Sequence, residues 1–331
     1  MGPGRRRGPL RPRLAAAGQR PRALLRRGCG LRGGGELRAG TRRGEAGRRR
    51  YDAQPGDYAL DTTQAEKPGD SATRKADSAL GDFTAAFASA PVTIDATCTT
   101  PHYIHAQMEP HATRAYWKDG GVIVHCSSQL LKSAQKAVAA TLQIPPDKVR
   151  IVSRYIGGGF GGKLPIYGDV MLSAMASRQL KRPVKTALTR QQMFHFTTHR
   201  SETRQRVRLG AAADGRLTAI AHESWSHSAR FDNFYEAASQ QTRSLYAAPN
   251  RMTAHRTVKL DLPISDSTRA PGEAVGMLAL ESAMDELAEK LKMDPIALRI
   301  RNEPAMDPEK NIPCSTRQLV RCMQEGAERF G

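Results

Sequence analysis

From about residue 91 onward, the pattern of apolar and polar positions changes between two periods. In "VTIDATCTT" apolar and polar residues alternate, and the short apolar run "GGVIVHC" follows a "KDGG" turn. Both patterns are typical of β-strands. The next segment, "SSQLLKSAQKAVAATLQI", has apolar residues at helical spacing, and we expect Ser127 or Ser128 to cap that helix.

The remaining chain continues this mixture. The pattern predicts strands in "PPDKVRIVSRYI", "RPVKTALT" and "MTAHRTVKLDLP", a helix in "YGDVMLSAMASRQL", and a hairpin around the turn "AADGR". A long helix follows "RAPGEAVGML", carries one apolar stripe, and stops or restarts at Asp294 and Pro295. The tail "STRQLVRCMQEGAERFG" is also expected to be helical. Because strands and helices do not alternate as βαβ units, the predicted fold class is α+β.

The first 90 residues have a different composition. Residues 1–50 contain 16 Arg, 2 Glu and no Lys, a net charge of +14, whereas the rest of the chain carries only +5. Such an Arg/Gly/Pro-rich segment cannot bury enough apolar surface to fold, so we expect disorder there. It could be a nucleic-acid-binding tail, a targeting peptide or a start-site or frame artefact of a GC-rich gene, and we favour the artefact. Residues 51–90 are polar and predict a linker or extended arm.

Several classes of protein are disfavoured by composition. No run of 18 apolar residues is present, so a membrane-spanning helix is not expected. No apolar segment follows the N-terminal arginines, so no signal peptide is recognisable, and a cytoplasmic or periplasmic location remains open. The five cysteines lack CxxC spacing, which indicates neither a disulfide framework nor a zinc ribbon.

The most unusual segment is "RYIGGGFGGKLP", at residues 154–165. Its glycines and Lys163 match part of a P-loop, but Leu164 stands where a Ser or Thr hydroxyl should bind Mg²⁺. The segment also matches GxGxxG, yet "SRQLKR" some 20 residues later offers no acid for a ribose. A plain tight turn between strand and helix remains an alternative. Against it, Phe160 between glycines could form the wall of a site whose N–H groups bind an anion.

Separate motifs then carry a family resemblance. "GGGFGGK" after a strand, "SSQ" some thirty residues earlier and "RAPGEAVGMLALESAMDELA" later resemble the molybdenum-binding subunit of the xanthine dehydrogenase and aldehyde oxidoreductase family. "MEPHA" and "TTHR" also recur in its bacterial three-subunit aldehyde oxidoreductases. The resemblance implies that residues 91–331 are part of a molybdopterin-binding domain. It also implies a molybdenum–molybdopterin cofactor, which is commonly the cytosine dinucleotide in bacterial members, and partner subunits that carry Fe–S clusters and FAD.

The resemblance also implies roles for individual residues. Gln129 falls on the glutamine that hydrogen-bonds an oxygen ligand of molybdenum, and Phe160 and Arg269 fall on residues near the metal that do not bind it directly. The cofactor-binding positions that the resemblance implies are Gln129, Gly158, Gly159, Phe160, Gly161, Gly162, Arg269, Ala270 and Gly272. Physically, glycine amides and a guanidinium suit an anionic cofactor.

Two departures from the family pattern concern the substrate. Leu164 replaces a glutamate that holds the purine in xanthine-oxidising members, and "RAPGEA" replaces "RGFGGP", which removes an aromatic clamp. Both favour a small aldehyde over a purine. The family's general-base glutamate belongs to a later motif that "EGAERFG" does not match, so no catalytic residue is assigned. We therefore expect a fragment that is inactive alone, without a membrane or nucleic-acid partner.

Other polar clusters have simpler interpretations. His102, His105 and His111 with Glu109 could be a metal site, but their spacing matches no strong ligand signature, and a polar strand and turn near the cofactor region is favoured. Asp285, Glu286 and Glu289 are expected on the solvated face of a helix. Cys126 is expected to be buried and inert.

Overall fold

The computed structural model describes residues 52–70 and 75–331. Residues 1–50, for which disorder is predicted, lie outside the described residues. Within them, helices and strands are mixed along the chain, which confirms the predicted α+β class. No helix in the described ranges combines the length and apolar character needed to cross a membrane.

The regular elements follow the predicted pattern closely. The strands are β1 (Ser78–Leu80), β2 (Val92–Thr100), β3 (Tyr103–Ile104), β4 (Ala112–Lys118), β5 (Gly121–Cys126), β6 (Val149–Val152), β7 (Val184–Ala187), β8 (His199–Arg200), β9 (Thr203–Ala211), β10 (Leu217–Ala229) and β11 (Asn250–Leu260). The α-helices are α1 (Phe83–Ala88), α2 (Leu131–Leu142), α3 (Gly168–Leu180), α4 (Arg190–Phe196), α5 (Thr242–Leu245), α6 (Glu273–Leu291), α7 (Pro295–Arg301) and α8 (Leu319–Phe330).

The larger sheet has the strand order β1-β11-β10-β9-β2. Strands β9 and β10 form the predicted hairpin, while β11 runs parallel to β10. Helix α6 packs on β2 and β9, and its buried residues Leu280, Met284 and Leu287 join the main hydrophobic core. The apolar stripe therefore holds α6, and the loop that precedes it, against this sheet.

The smaller sheet has the order β6-β5-β4-β7, with α2 and α3 packed against it. Helix α2 begins later than expected, because Leu130 occupies the N-cap without a side-chain hydrogen bond. The expectation that Ser127 or Ser128 caps it is therefore wrong. Ser128 Oγ instead accepts from the amide of Leu130 at 3.3 Å, just before the helix.

Residues 52–70 and 75–90 contain short regular elements. Glu66 forms a β-bridge with Thr257, and β1 pairs antiparallel with β11 at the edge of the larger sheet. Asp82 caps α1 by accepting from the amide of Ala85 at 3.0 Å. A strand and a helix thus occupy residues 78–88.

Two loops leave these layers and carry the predicted site. The glycine loop, residues 157–163, lies between β6 and α3, and the helix-entry loop, residues 267–272, lies between β11 and α6. The short β3–β8 ladder lies beside them in the fold, since His199 of β8 forms a bridge with Ser265.

Candidate functional site

The glycine loop and the helix-entry loop are in direct contact. The amide of Arg269 donates a hydrogen bond to the carbonyl of Phe160 at 2.9 Å. A Cβ on Gly161 would overlap the carbonyl oxygen of Ser267, so the backbones approach too closely for any larger residue. The two separated motifs therefore form one surface.

Gln129 is held against the glycine loop by three hydrogen bonds. Its Oε1 accepts from the backbone amides of Gly161 and Lys163 at 3.2 and 3.1 Å. The backbone N–H of Gln129 donates to the Lys163 carbonyl at 2.8 Å. Two backbone donors fix which end of the side-chain amide is the oxygen. Within the described residues Nε2 has no hydrogen-bond partner, so its two protons remain for a ligand.

The first half of the glycine loop presents three amides. Gly158 and Phe160 have positive φ angles of 90° and 52°, whereas φ of Gly159 between them is not positive. Alternation of this kind turns successive N–H groups toward one side, an arrangement that binds anions. The amides of these three residues have no partner in the part of the chain that the structure describes.

A buried lysine fixes the other half of the loop. Lys163 is fully buried and its Nζ donates to Glu109 Oε2 at 2.5 Å. The same oxygen accepts from the amide of Gly157 and the hydroxyl of Ser127, both at 2.8 Å. Burial raises the pKa of Glu109, but these hydrogen bonds outweigh it and lower the pKa to about 2. A P-loop lysine reaches phosphate, whereas this one is committed to a carboxylate.

The helix-entry loop has its own strained backbone. Ala270 has a positive φ of 57° and Gly272 one of 85°, immediately before the first turn of α6. A left-handed conformation is costly for a residue with a side chain, so the surroundings must impose it. Arg269 is exposed, and its guanidinium has no partner among the described residues.

A second buried pair surrounds this loop. Arg200 Nη2 donates to the carbonyls of Thr268 and Arg269 at 2.8 and 2.6 Å, and Nη1 donates to Ala270 at 3.4 Å and to Glu236 Oε1 at 2.8 Å. Glu236 Oε1 also accepts from the amide of Gly272. Both side chains of the pair are fully buried. The charges thus hold the loop from its inner side.

His105 touches both loops. Its Nε2 lies 3.0 Å from the Ser267 carbonyl and 3.0 Å from Thr268 Oγ1, and a Cβ on Gly162 would lie 2.7 Å from its ring. Burial lowers the pKa of His105, although its bond to the Ser267 carbonyl opposes that shift. A neutral His105 therefore spaces the two loops.

The other members of the predicted histidine cluster point to different partners. His111 Nε2 lies 3.0 Å from Gln107 Nε2, and burial together with the nearby Lys163 charge lowers its pKa to about 4. His102 packs edge-on against His199 and His227. Within the described ranges no three His, Cys, Asp or Glu side chains are grouped to hold a metal ion. The metal alternative has no support in this geometry.

A histidine pair supports the chain behind the helix-entry loop. His227 Nδ1 accepts from the amide of Glu202 at 3.2 Å, so its Nε2 carries the proton and donates to His199 Nε2 at 2.8 Å. Burial lowers the pKa of His199 to about 4 and that of His227 to about 3. The backbone of His199 also bonds residues 264 and 266, which lead into the loop.

The remaining candidates behave as structural groups. Asp285 pairs with Arg299 at 2.9 Å on the outer side of α6, and burial raises the pKa of Cys126 to about 11, which keeps its thiol protonated. Arg200 and Glu236, which hold the helix-entry loop, were not predicted as site residues, and His105 was considered only as a metal ligand. "TTHR" contains Arg200 and could have identified it, whereas nothing in the sequence singles out Glu236.

Known proteins resemble this chain in sequence. The family profile described as "Molybdopterin cofactor-binding domain" matches residues 64–303. The chain is 48% identical over 256 residues to the aldehyde oxidoreductase molybdenum-binding subunit PaoC of Escherichia coli K12, covering 77% of this chain and 35% of that protein. It is 30% identical over 227 residues to the nicotinate dehydrogenase large molybdopterin subunit of Eubacterium barkeri, covering 67% and 53%. The chain thus spans about a third of the length of PaoC.

Solved structures give the same result for the fold. The aldehyde oxidoreductase from Desulfovibrio gigas superposes with a TM-score of 0.70 and 27% identity, over 77% of this chain and 29% of that one. The quinoline 2-oxidoreductase from Pseudomonas putida 86 superposes with a TM-score of 0.73 at 20% identity, over 85% and 39%. The latter likeness concerns the fold alone.

Proposed function

Since this chain belongs to the Molybdopterin cofactor-binding domain family, we propose that its two contacting loops bind molybdenum–molybdopterin in an oxidoreductase that converts aldehydes to carboxylic acids. The observation that carries the proposal is the hydrogen bond from the Arg269 amide to the Phe160 carbonyl at 2.9 Å. It joins the two motifs into one surface. That surface has donors left over on both sides.

The residues present fit an anionic pterin cofactor. N–H donors come from the unpaired amides of Gly158, Gly159 and Phe160 and from the guanidinium of Arg269. The glycine loop tolerates no extra side-chain atoms at Gly161. Phosphate and dithiolene groups carry negative charge, which such donors stabilise without reorganisation. The bound cofactor would supply the redox chemistry of the hydroxylation.

The protein side of the reaction is positioning. Because Gln129 Oε1 accepts from two loop amides, Nε2 is the atom left to donate to a ligand. The side-chain amide is neutral, so it can donate to an oxygen without adding charge. Phe160 is half exposed and held with positive φ, so its ring can form a wall beside the metal. Ala270 and Gly272 place the first turn of α6 behind Arg269, and Gly162 completes the turn against His105.

The two carboxylates that pair with the buried cations behind the loops do not fit a general base. Glu109 is held ionised by Lys163, with a pKa of about 2, and Glu236 is buried against Arg200. No proton transfer is therefore assigned to them. We further propose the cytosine dinucleotide form of the cofactor, electron transfer to Fe–S and FAD-binding partner subunits, and a small aldehyde as substrate, because Leu164 offers no polar group for a purine.

Metal and pterin analysis tests the proposal. The full chain, produced in a host that makes molybdopterin, should contain molybdenum and an oxidisable pterin. Arg269→Ala and Gln129→Ala should lower both contents at least threefold. Arg204→Ala, an exposed arginine on β9, is the matched control and should retain them.

Complete molybdenum loading in Arg269→Ala would overturn the role of this arginine. A wild-type chain that contains neither molybdenum nor pterin would overturn the proposed cofactor site as a whole. Full molybdenum and pterin contents in Gln129→Ala would overturn the role of Gln129.

A further inference from the structure

We infer that the buried Arg200–Glu236 pair is a positioning unit that sets the helix-entry loop in its binding conformation before the cofactor arrives. The inference rests on the proposed function, because it assigns the prepared loop to the cofactor. It concerns residues that touch the loop from inside. Both of their side chains are fully buried, whereas Gln129 and Arg269 are exposed and Phe160 is half exposed on the outer surface.

The donors of Arg200 are directed at consecutive backbone carbonyls. Its two terminal nitrogens bond the carbonyls of Thr268, Arg269 and Ala270, at 2.8, 2.6 and 3.4 Å. Three successive carbonyls can point to one guanidinium only if the chain bends around it. The positive φ of Ala270, 57°, is that bend. With the carbonyls turned inward, the Arg269 side chain is left on the outer face.

Glu236 fixes the end of the same turn. Its Oε1 accepts from Arg200 and from the amide of Gly272, the N-cap residue of α6. The chain after Glu236 is packed so closely on the start of the helix that a Cβ on Gly272 would lie 2.6 Å from the Ala237 carbonyl oxygen. A Cβ on Gly276 would overlap the Ala238 carbonyl oxygen. One carboxylate therefore ties the buried arginine to the helix N-terminus.

Stability alone does not explain such a pair. Removing two charges from water is costly, and apolar residues of similar volume often stabilise a protein equally well. Here the guanidinium fork matches three carbonyls and a carboxylate, which a lysine ammonium cannot do with its compact charge. A planar fork in this place specifies a backbone conformation.

Hydrogen exchange of the cofactor-free full chain gives a readout that does not depend on activity. In Arg200→Lys the amides of Arg269 and Gly272 should exchange at least tenfold faster than in the wild type, while the amides of α6 beyond its first turn stay unchanged. Molybdenum and pterin contents of the chain produced in a molybdopterin-making host should fall at least threefold.

Three further variants complete the test. Arg243→Lys is the matched control, since Arg243 is also buried and also donates to two backbone carbonyls, those of Lys75 and Ala76, far from the loop in the chain. It should leave exchange at residues 269 and 272 unchanged. Glu236→Gln keeps an oxygen for Arg200 and Gly272 and should stay within threefold of wild type, whereas Glu236→Ala should match Arg200→Lys.

The outcomes separate this inference from the proposed function. Unchanged exchange at residues 269 and 272 in Arg200→Lys would overturn the inference, even if the wild type binds molybdenum normally. Faster exchange with no molybdenum in the wild type would uphold the preset loop and overturn the cofactor assignment. Uniformly faster exchange throughout α6 in Arg200→Lys, but not in Arg243→Lys, would show general support of the helix and would also overturn the inference.

Discussion

The glycine loop and the helix-entry loop are each held in a strained conformation by a buried cation, but the two cations differ. Each loop contains a residue with a side chain in the left-handed region, Phe160 at φ 52° and Ala270 at φ 57°. Each is held from inside by a fully buried basic residue that is paired with a carboxylate, Lys163 in the first and Arg200 in the second. In both cases the strain lies in the loop and the charges lie behind it.

The two pairs differ in burial and in what the cation holds. The carboxylate side chain of Glu109 is 39% exposed, whereas Glu236 is fully buried. Lys163 donates to its carboxylate, and that carboxylate in turn holds the Gly157 amide; Arg200 donates directly to loop carbonyls. The first loop is thus fixed through a partly solvated acid, and the second through a dry guanidinium fork. We therefore expect substitutions in the Arg200–Glu236 pair to lower the free energy of unfolding more than substitutions in the Lys163–Glu109 pair.

Arg200→Met should show the largest loss of stability. It removes the arginine charge paired with a fully buried carboxylate and takes the Arg200 donors from three loop carbonyls, which we expect to lower the free energy of unfolding by about 3–5 kcal/mol. Urea unfolding followed by circular dichroism measures this directly. The control is Arg243→Met, a buried arginine that donates to other carbonyls and has only a partly exposed acid, Glu309, 3.7 Å away. If Arg243→Met lowers the free energy of unfolding as much as Arg200→Met or more, the Arg200–Glu236 pair has no special importance for stability.

Gly161→Ala should break the contact between the loops themselves. The new Cβ would overlap the Ser267 carbonyl oxygen, and φ at this position is +98°, so overpacking and backbone strain together should cost about 2–4 kcal/mol. Gly168→Ala is a matched control, since a Cβ there meets nothing within 4 Å. It should be neutral or slightly stabilising. Equal unfolding midpoints for the two variants would contradict the close approach.

The sequence could predict most of the elements and the pairing of the motifs. Apolar periodicity predicted α6 because Leu280, Met284 and Leu287 share one buried face, and the "AADGR" turn predicted the β9–β10 hairpin. The resemblance brought residues 129, 160 and 269 to one site, and the structure places two of them in loops that are joined by a hydrogen bond.

What the sequence could not predict depends on distant contacts. Glu236 shares the loop between β10 and α5 with another acid, Asp232, and only the fold brings Glu236 within 2.8 Å of Arg200. The N-cap of α2 was misassigned because Ser128 bonds the amide of Leu130 before the helix starts, which local patterns cannot distinguish from a cap. The β1 strand has three residues and no apolar alternation of its own, so it forms only by pairing with β11.

Acid should loosen the glycine loop through Glu109. The pKa of this carboxyl is about 2 in the folded chain against an ordinary value of 4.5, so its stabilisation is complete above about pH 4.5 and is lost as the pH falls toward 2. Lys163→Met removes the main partner. Because the carboxylate is 39% exposed, we expect the loss near pH 6 to be only about 1–2 kcal/mol.

The measurement is the urea midpoint of wild type and Lys163→Met at several pH values. The difference between them should shrink steadily below pH 4.5, because protonated Glu109 no longer gains from the lysine. A difference that stays the same size down to pH 3 would mean that Lys163 acts only by packing its alkyl chain. That result would contradict the role given to the Lys163–Glu109 pair.

The exposed Arg206–Asp95 pair should contribute least to the free energy of unfolding among the ion pairs compared. Arg206 donates to Asp95 through Nε and Nη2, at 2.8 and 2.6 Å, across the β2–β9 ladder, but the two side chains are 45% and 42% exposed. Its hydrogen bonds are as short as those of Arg200, so bond length alone would predict an equal effect. Because water solvates both charges in either state, we expect Arg206→Met to change the free energy of unfolding by about 0–1 kcal/mol, with a smaller effect in 1 M salt. A loss comparable to that of Arg200→Met would mean that burial does not order these pairs, and the contrast between the two loops would then need a different physical cause.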